Sequence, residues 1–123
     1  MRKLILAALL LFILIGNPLS SQTQHNITLN WNASVTTGVK YNVYRGTASA
    51  GPFTPLASDV AAVTYKDTSG TGGTTYWYQI TAICDTTTTC PAGVSGESAP
   101  TTPVSATFLG NPVGPTGVTA TAQ

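Results

Sequence analysis

Short runs in which apolar and polar residues alternate recur along the chain after residue 21. Five of them show a clear period of two: residues 27–33, 40–46, 63–69, 74–84 and 103–108. A sixth run, residues 52–57, carries two prolines, which is typical of an edge strand. No stretch after residue 21 shows a helical period. Six short strands separated by polar turns predict an all-β fold, an antiparallel β-sandwich.

The alternation also predicts which side chains face the core. The residues on the apolar face of the runs are Ile27, Leu29, Trp31, Tyr41, Val43, Val63, Tyr65, Tyr76, Tyr78, Ile80, Ala82, Val104, Ala106 and Phe108. A large side chain of this kind contributes roughly 1.5–3 kcal/mol when it is fully buried. The set is a plausible core for one domain, and the 123 residues of the chain fit one domain.

The first 21 residues have the features of a secretory signal peptide. Arg2 and Lys3 precede an apolar run over residues 4–15, and a helix-breaking stretch and small polar residues follow. The run is short for a bilayer, which needs about 20 apolar residues, so cleavage after Ser21 is predicted and an uncleaved anchor is the alternative. We therefore expect a secreted, extracellular protein without stable membrane insertion after cleavage.

Charge argues against two classes of partner. The whole chain has a net charge of +1, and without residues 1–21 it keeps three bases and four acids. Three scattered bases do not neutralise a run of phosphates, so nucleic acid is excluded as a partner. An electrostatic hold on anionic membranes is excluded for the same reason.

The order of the predicted strands resembles the fibronectin type III domain, in the form found in bacterial extracellular proteins. The resemblance is carried by Trp31 on the second strand of that family, by GVKYNVYRG, TYKDTS and TTYWYQITA, and by ESAPTTPVSATF as the last strand. It places Tyr76 at the tyrosine corner of the family. It covers about residues 25–108, and it divides the chain into a signal peptide (1–21), a fibronectin type III-like domain (22–109) and a Pro/Gly linker with a further strand-like segment (110–123).

One strand of the family pattern is missing from its usual place. The first strand should precede Ile27, but residues 22–26 are too short and too polar for it. Residues 114–123 resemble such a strand, with Val118, Ala120 and Ala122 on one face. The first strand is thus predicted to be displaced to the C-terminus. It would act as a donor strand, for which Ile27, Leu29 and Trp31 form the acceptor strand.

Few other residues carry candidate chemistry. Cys84 and Cys90 are the two cysteines of an exported chain, and they are predicted to form a disulfide. Tyr44 and Trp77 fall on the outward face of neighbouring strands and form a possible binding surface.

No catalytic, metal or cofactor site is expected. His25 is the single histidine and lies at the start of the domain, so no nucleophile–base pair is expected. Asp59 and Asp67 are interpreted as turn formers, since two carboxylates fall short of the six to eight ligands that Ca²⁺ takes.

Three functions stay open at this point. The first is a structural subunit that polymerises head-to-tail into an extracellular filament by donating its C-terminal strand. The second is a monomeric module for cell adhesion or carbohydrate binding, with a carbohydrate or a cell-surface protein as partner. The third is a fragment of a larger multi-domain exported protein. None of the three makes this chain an enzyme.

Overall fold

The computed structural model describes residues 25–123, so the predicted signal peptide lies outside the described residues. Seven strands form within this range: β1 (Ile27–Asn30), β2 (Lys40–Gly46), β3 (Thr54–Val60), β4 (Thr64–Asp67), β5 (Thr75–Cys84), β6 (Gly96–Glu97) and β7 (Val104–Thr107). Between residues 25 and 123 no helix is long and apolar enough to cross a membrane.

The strands form two antiparallel sheets. The smaller sheet pairs β1 with β4, and the larger one has the order β3-β2-β5. On the far side of β5, β6 pairs with its C-terminal end and β7 with its N-terminal half. The all-β prediction is confirmed. The number of strands was wrong by one, because β6 has two residues and is too short to show an alternating pattern.

The core lies between the sheets and has the predicted composition. Its buried apolar side chains are Ile27, Leu29, Tyr41, Val43, Tyr78, Ile80 and Phe108. Trp31 is half-buried and packs edge-on against Tyr41, with ring centroids 5.4 Å apart. Val63 and Val104 were predicted to be buried, but 41% and 58% of their surfaces are exposed. The edge position of β3 is confirmed, although the strand spans 54–60 rather than 52–57.

Phe108 fixes the end of the domain. Its ring is 1% exposed and lies over Gly70, where an added Cβ would be 2.0 Å from the ring. Its backbone N–H donates to the carbonyl of Thr74 at 3.0 Å, and its carbonyl accepts from the N–H of Gly73 at 2.8 Å. From Leu109 onward every residue is exposed.

A buried carboxylate joins the two sheets. Asp67 of β4 is 1% exposed, and its Oδ2 accepts hydrogen bonds from Arg45 Nη1 at 2.9 Å and from Tyr78 Oη at 2.8 Å, both on the larger sheet. Its Oδ1 accepts from the N–H and the hydroxyl of Ser69. The interpretation of Asp67 as a turn former was therefore incomplete. The bond from the Ser69 N–H to Oδ1 does stabilise a turn, but Oδ2 bonds to Arg45 and Tyr78 in the interior.

The surroundings of Asp67 keep it ionised. Burial alone raises the pKa of a carboxyl group, but the hydrogen bonds from Ser69, Tyr78 and Arg45 outweigh burial and lower the pKa of Asp67 below its ordinary value. Conversely, burial and the bond to Asp67 raise the pKa of Tyr78. The cluster is therefore stable as a carboxylate, a neutral phenol and a guanidinium.

Arg45 connects this cluster to the predicted tyrosine corner. Its guanidinium lies 4.4 Å from the centroid of the Tyr76 ring, a cation–π contact. The hydroxyl of Tyr76 accepts a hydrogen bond from the N–H of Thr71 at 3.2 Å, five residues upstream. That bond to upstream backbone is the defining feature of a tyrosine corner, so the assignment of Tyr76 is confirmed.

The predicted disulfide is present. The sulfur atoms of Cys84 and Cys90 are 2.05 Å apart. Inside the loop Asp85 Oδ1 accepts from the N–H and the hydroxyl of Thr87, both at 2.7 Å, and these bonds lower the pKa of Asp85. The N–H of Thr89 donates to the carbonyl of Gly38 at 3.2 Å, which attaches the loop to the segment before β2.

We predict that Asp67→Asn lowers the free energy of unfolding by about 2–3 kcal/mol at neutral pH, because it removes the charge from a buried, hydrogen-bonded pair. The pKa of Asp67 is lower in the folded chain than the unfolded value of about 3.9. This stability is therefore complete above that value and is lost as the pH falls through the folded pKa. Urea unfolding at several pH values measures both effects.

Asp59→Asn is the matched control for this prediction. Asp59 is exposed and has a φ of 57°, a conformation that asparagine tolerates. The control should change the unfolding free energy by no more than about 0.5 kcal/mol. Equal losses in the two variants, or a gap between wild type and Asp67→Asn that stays constant into acid, would contradict the role given to Asp67.

We also predict that reduction of Cys84–Cys90 leaves the domain folded and lowers its unfolding free energy by about 2 kcal/mol, the chain-entropy contribution of so short a loop. The core side chains lie outside this loop, and the hydrogen bonds of Asp85 remain after reduction. Thermal unfolding with and without a reductant measures the change. A reduced protein without a cooperative transition would contradict the prediction.

Candidate functional site

The outward face of the larger sheet carries an open groove of about 410 Å³. We call it the outer groove and define it by its lining residues Tyr44, Phe53, Gln79, Thr81, Glu97, Ser98 and Pro100. Tyr44 of β2 is the register partner of Gln79 of β5. Both alternate with buried neighbours, Val43 and Tyr78, and therefore project away from the core.

Two glycines position the aromatic ring of Phe53. A Cβ on Gly51 would be 2.9 Å from this ring, and a Cβ on Gly46 would be 3.2 Å from it. Gly51 also has a φ of 81°, in the left-handed region that favours glycine. The ring of Phe53 therefore lies across a surface that carries no side chains, at the edge of the groove.

Glu97 is the charged group of the outer groove. Its Oε1 accepts hydrogen bonds from Tyr44 Oη at 2.6 Å, from Asn42 Nδ2 at 3.1 Å and from the hydroxyl of Thr81. The bonds from Thr81, Tyr44 and Asn42 lower the pKa of Glu97. The bond to Glu97, together with burial, raises the pKa of Tyr44. The groove thus holds an ionised carboxylate in a fixed position beside two aromatic rings.

The predicted pair of outward aromatics is placed differently from our expectation. Tyr44 and Trp77 do lie on the outward face of neighbouring strands. However, Trp77 is the partner of Gly46 and of Ser105, two residue pairs beyond the Tyr44–Gln79 pair, and it does not line the outer groove. The second aromatic of the groove is Phe53. Sequence reasoning missed Phe53 because it lies outside the regular alternation, and it missed Glu97 because β6 is too short to predict.

The proposed donor and acceptor residues are not brought together within one chain. Ile27 and Leu29 are buried in β1, and no strand of residues 25–123 pairs with the edge of β1 opposite β4. Val118, Ala120 and Ala122 are exposed and lie outside any strand. Strand donation therefore stays a prediction.

In the part of the chain that the structure describes, no three His, Cys, Asp or Glu side chains lie close enough together to hold a metal ion. His25 lies at the beginning of that part, two residues before β1.

No model of a known protein family matches the chain. A solved structure does resemble it: an Fn3-like protein from Clostridium thermocellum is 32% identical, and the match covers 64% of this chain and 75% of that protein, with a TM-score of 0.48. The chain belongs to the Fn3-like (fibronectin type III-like) domains. In this Fn3-like domain β1 and β4 form one sheet, and the remaining strands form the other.

Curated relatives of the Fn3-like domain are much longer proteins. An amylopullulanase from Thermoanaerobacter thermohydrosulfuricus is 40% identical over 57 residues, which is 46% of this chain. A poly(3-hydroxybutyrate) depolymerase from Ralstonia pickettii is 35% identical over 92 residues, which is 75% of this chain. The match spans 4% of the first relative and 16% of the second. The similarity is therefore to a small part of each.

We predict that Glu97→Gln returns the pKa of Tyr44 toward its ordinary value of 10.0, since the bond to Glu97 is the main cause of the upward shift. NMR spectra of ring-labelled tyrosine, recorded against pH, follow this titration, and Tyr44→Phe assigns the resonance. Asp85→Asn removes an equal charge from a different loop and should leave the Tyr44 titration unchanged. If Glu97→Gln leaves the Tyr44 titration unchanged as well, the hydrogen bond is not formed in solution.

Proposed function

We propose that this Fn3-like domain is a non-catalytic accessory module of an exported polymer-degrading system, and that it binds a hydroxyl-rich polysaccharide in the outer groove. The observation that carries the proposal is the geometry of Glu97. Its Oε1 accepts from Tyr44, Asn42 and Thr81, beside the rings of Tyr44 and Phe53. Among the described residues, all three of these hydrogen bonds end on Oε1 and none on Oε2.

The nature of the relatives supports an accessory role. The names of two relatives, an amylopullulanase and a poly(3-hydroxybutyrate) depolymerase, describe enzymes that cleave chemically different polymers, a glucan and a polyester. Cleavage of a glycosidic bond and cleavage of an ester need different catalytic groups. A segment similar to parts of both therefore fits a role that the two reactions share, such as positioning the enzyme on its polymer.

The outer groove also lacks the pair of groups that such catalysis uses. Glycoside hydrolysis needs two carboxyl groups facing one bond. Glu97 is the one carboxylate that lines the groove, and it is bonded to three neighbours. Asp67 is buried in its ion pair, and Asp59 and Asp85 meet at the hydroxyl of Thr87 on the disulfide loop, outside the groove. Binding rather than bond cleavage is the chemistry that the outer groove supports.

The hydrogen-bonding groups of the outer groove favour a glucan over a polyester. Glu97 is a carboxylate and accepts hydrogen bonds, while Gln79 both donates and accepts. Sugar hydroxyls can satisfy both, and the aromatic faces of Tyr44 and Phe53 suit the apolar faces of sugar rings. A polyester offers ester carbonyls but no donors, so it would give the carboxylate of Glu97 no hydrogen bond beyond those from its own neighbours.

The predicted export fits this role. A disulfide persists in oxidising compartments, and Cys84–Cys90 is formed. Polymers too large to enter a cell are degraded outside it, so a module for binding them is expected there. The predicted signal peptide over residues 1–21 would provide the export.

We predict that the exported protein is retarded in gels that contain amylopectin or pullulan and is not retained on poly(3-hydroxybutyrate) film. Tyr44→Ala and Gln79→Ala should each weaken glucan binding about tenfold or more, equivalent to about 1.4 kcal/mol. Affinity electrophoresis measures this directly, and thermal unfolding verifies that each variant is folded.

Trp77→Ala is the matched control for the binding test. Trp77 is an outward aromatic on the same sheet but lies outside the outer groove, so its loss should leave glucan binding unchanged. Stronger retention on the polyester than on the glucans would overturn the choice of ligand. Absence of binding to either polymer would overturn the binding role altogether.

A further inference from the structure

The core of this domain is open along one side. β1 pairs with β4 on one edge, and within residues 25–123 no strand pairs with its other edge. At the end of that edge a groove of about 360 Å³ lies between Trp31, which follows β1, and the segment between β6 and β7. We call it the edge groove, and the lining residues that matter here are Trp31, Tyr41, Ile80, Ala82, Ala99 and Thr101.

Three side chains show that no element within residues 25–123 covers this side. Val104 is the partner of buried Tyr78 in the β5–β7 pairing and so faces the core side, yet it is 58% exposed. Ile80, from the core, also lines the edge groove. Trp31 has a buried indole Nε1–H with no hydrogen-bond acceptor among the described residues. A buried donor without a partner destabilises the fold, and a backbone carbonyl lying along the groove would accept its hydrogen bond.

The C-terminal segment, residues 110–123, has the complementary pattern. Every residue in it is exposed, and Val118 is exposed by 84%. In an extended conformation Val118, Ala120 and Ala122 share one face, and Thr119 and Thr121 share the other. Small side chains on one face suit a groove whose walls include Ala82 and Ala99.

The direction of the strands decides which copy this segment reaches. β1 starts at Ile27, opposite Asp67, and ends at Asn30, opposite Thr64. An antiparallel partner of β1 must therefore enter at the Asn30 end. The C-terminal segment leaves the domain after Phe108, beside Gly73 and Thr74 in the loop that follows β4. It therefore starts at the Ile27 end, the wrong end for its own β1.

The connection is also too short for a return within one chain. Residues 109–115 would have to run from the Ile27 end of β1 to its Asn30 end and then turn back. They contain two prolines and two glycines. Seven residues reach at most about 23–25 Å. On that path the connection would also occupy the same open edge of β1 that the strand needs. A second copy stacked beyond the Phe108 end presents its own Asn30 end there, so the segment can enter that copy's groove directly.

We infer that residues 118–122 of one copy pair antiparallel with β1 of the next copy and place Val118, Ala120 and Ala122 in its edge groove. This strand addition supplies main-chain hydrogen bonds to an open sheet edge. The contact joins two different surfaces, so it propagates head-to-tail into chains rather than closing as a symmetric dimer. It does not depend on the outer groove, which lies on the outward face of the other sheet.

The test compares two charged variants of the exported full-length protein. Ala120→Asp would bury a charge in the edge groove, whereas Thr119→Asp places the same charge on the opposite face of the segment. Both residues are exposed in the separate chain, so both variants should fold like wild type. We expect light scattering after size exclusion to show concentration-dependent oligomers for wild type and Thr119→Asp. Ala120→Asp should raise the concentration needed for assembly about tenfold or more.

Two further measurements locate the contact. The indole Nε1–H resonance of Trp31 should shift when the oligomer forms, and hydrogen exchange should slow in residues 27–31. A synthetic peptide of residues 114–123 should produce the same shift in the Ala120→Asp variant, whereas the peptide carrying Ala120→Asp should not.

Three outcomes would overturn the inference. A wild-type monomer at high concentration with a mobile C-terminal segment would do so. A monomer with residues 118–122 protected from exchange would show that the segment folds back on its own domain. Oligomers equally sensitive, or equally insensitive, to Thr119→Asp and Ala120→Asp would place the contact elsewhere.

Discussion

The hydrogen-bonded carboxylate of Asp67 is the interaction on which this small sandwich depends. The smaller sheet has two strands, and β1 contributes four residues to it. Asp67 ends β4, the other strand of that sheet, and bonds to Arg45 and Tyr78 across the interior. A buried ion pair is costly when a partner is removed. Sheets that slid relative to each other would separate these groups, so the pair resists such sliding.

The same cluster stabilises the part of the larger sheet that carries the outer groove. Arg45 follows Tyr44 in β2, and Tyr78 precedes Gln79 in β5. In each strand one residue points to Asp67 and its neighbour points to the groove, because successive side chains alternate between faces. Fixing Arg45 and Tyr78 therefore fixes the register that places Tyr44 opposite Gln79. Glu97 adds β6 to this arrangement through its bonds to Tyr44 and Thr81.

The fold was predictable because apolar and polar residues alternate regularly along the longer strands. β5 shows this best: its boundaries differ by one residue from the predicted run, and the predicted inward residues Tyr76, Tyr78, Ile80 and Ala82 all lie in the core or pack against it. Prediction failed where burial would need a further strand that residues 25–123 do not form beside β1. Val104 has the correct parity, yet it is exposed, because parity assigns a face and does not say whether another layer covers it.

The candidate site was harder to predict than the fold. Tyr44 was found because it lies in a regular strand. Phe53 precedes β3 and owes its position to Gly46 and Gly51, and contact between a ring and two glycines leaves no periodic signal. Asp67 was misjudged because an aspartate near a turn usually forms the turn, and its bonds to Arg45 and Tyr78 join residues far apart in the sequence.

The open edge of β1 also explains why one particular sequence is favoured as its partner strand over strands of arbitrary sequence. Long, flat, apolar edges aggregate, whereas short edges with polar outward residues resist it. β1 is a four-residue strand, and its outward residues Thr28 and Asn30 are polar. Main-chain bonds to so short an edge are few, so they hold an incoming strand weakly by themselves. Affinity must therefore come from the side chains that fill the edge groove beside Trp31. A partner with an apolar side chain at every second position meets that demand, and residues 118–122 have this pattern.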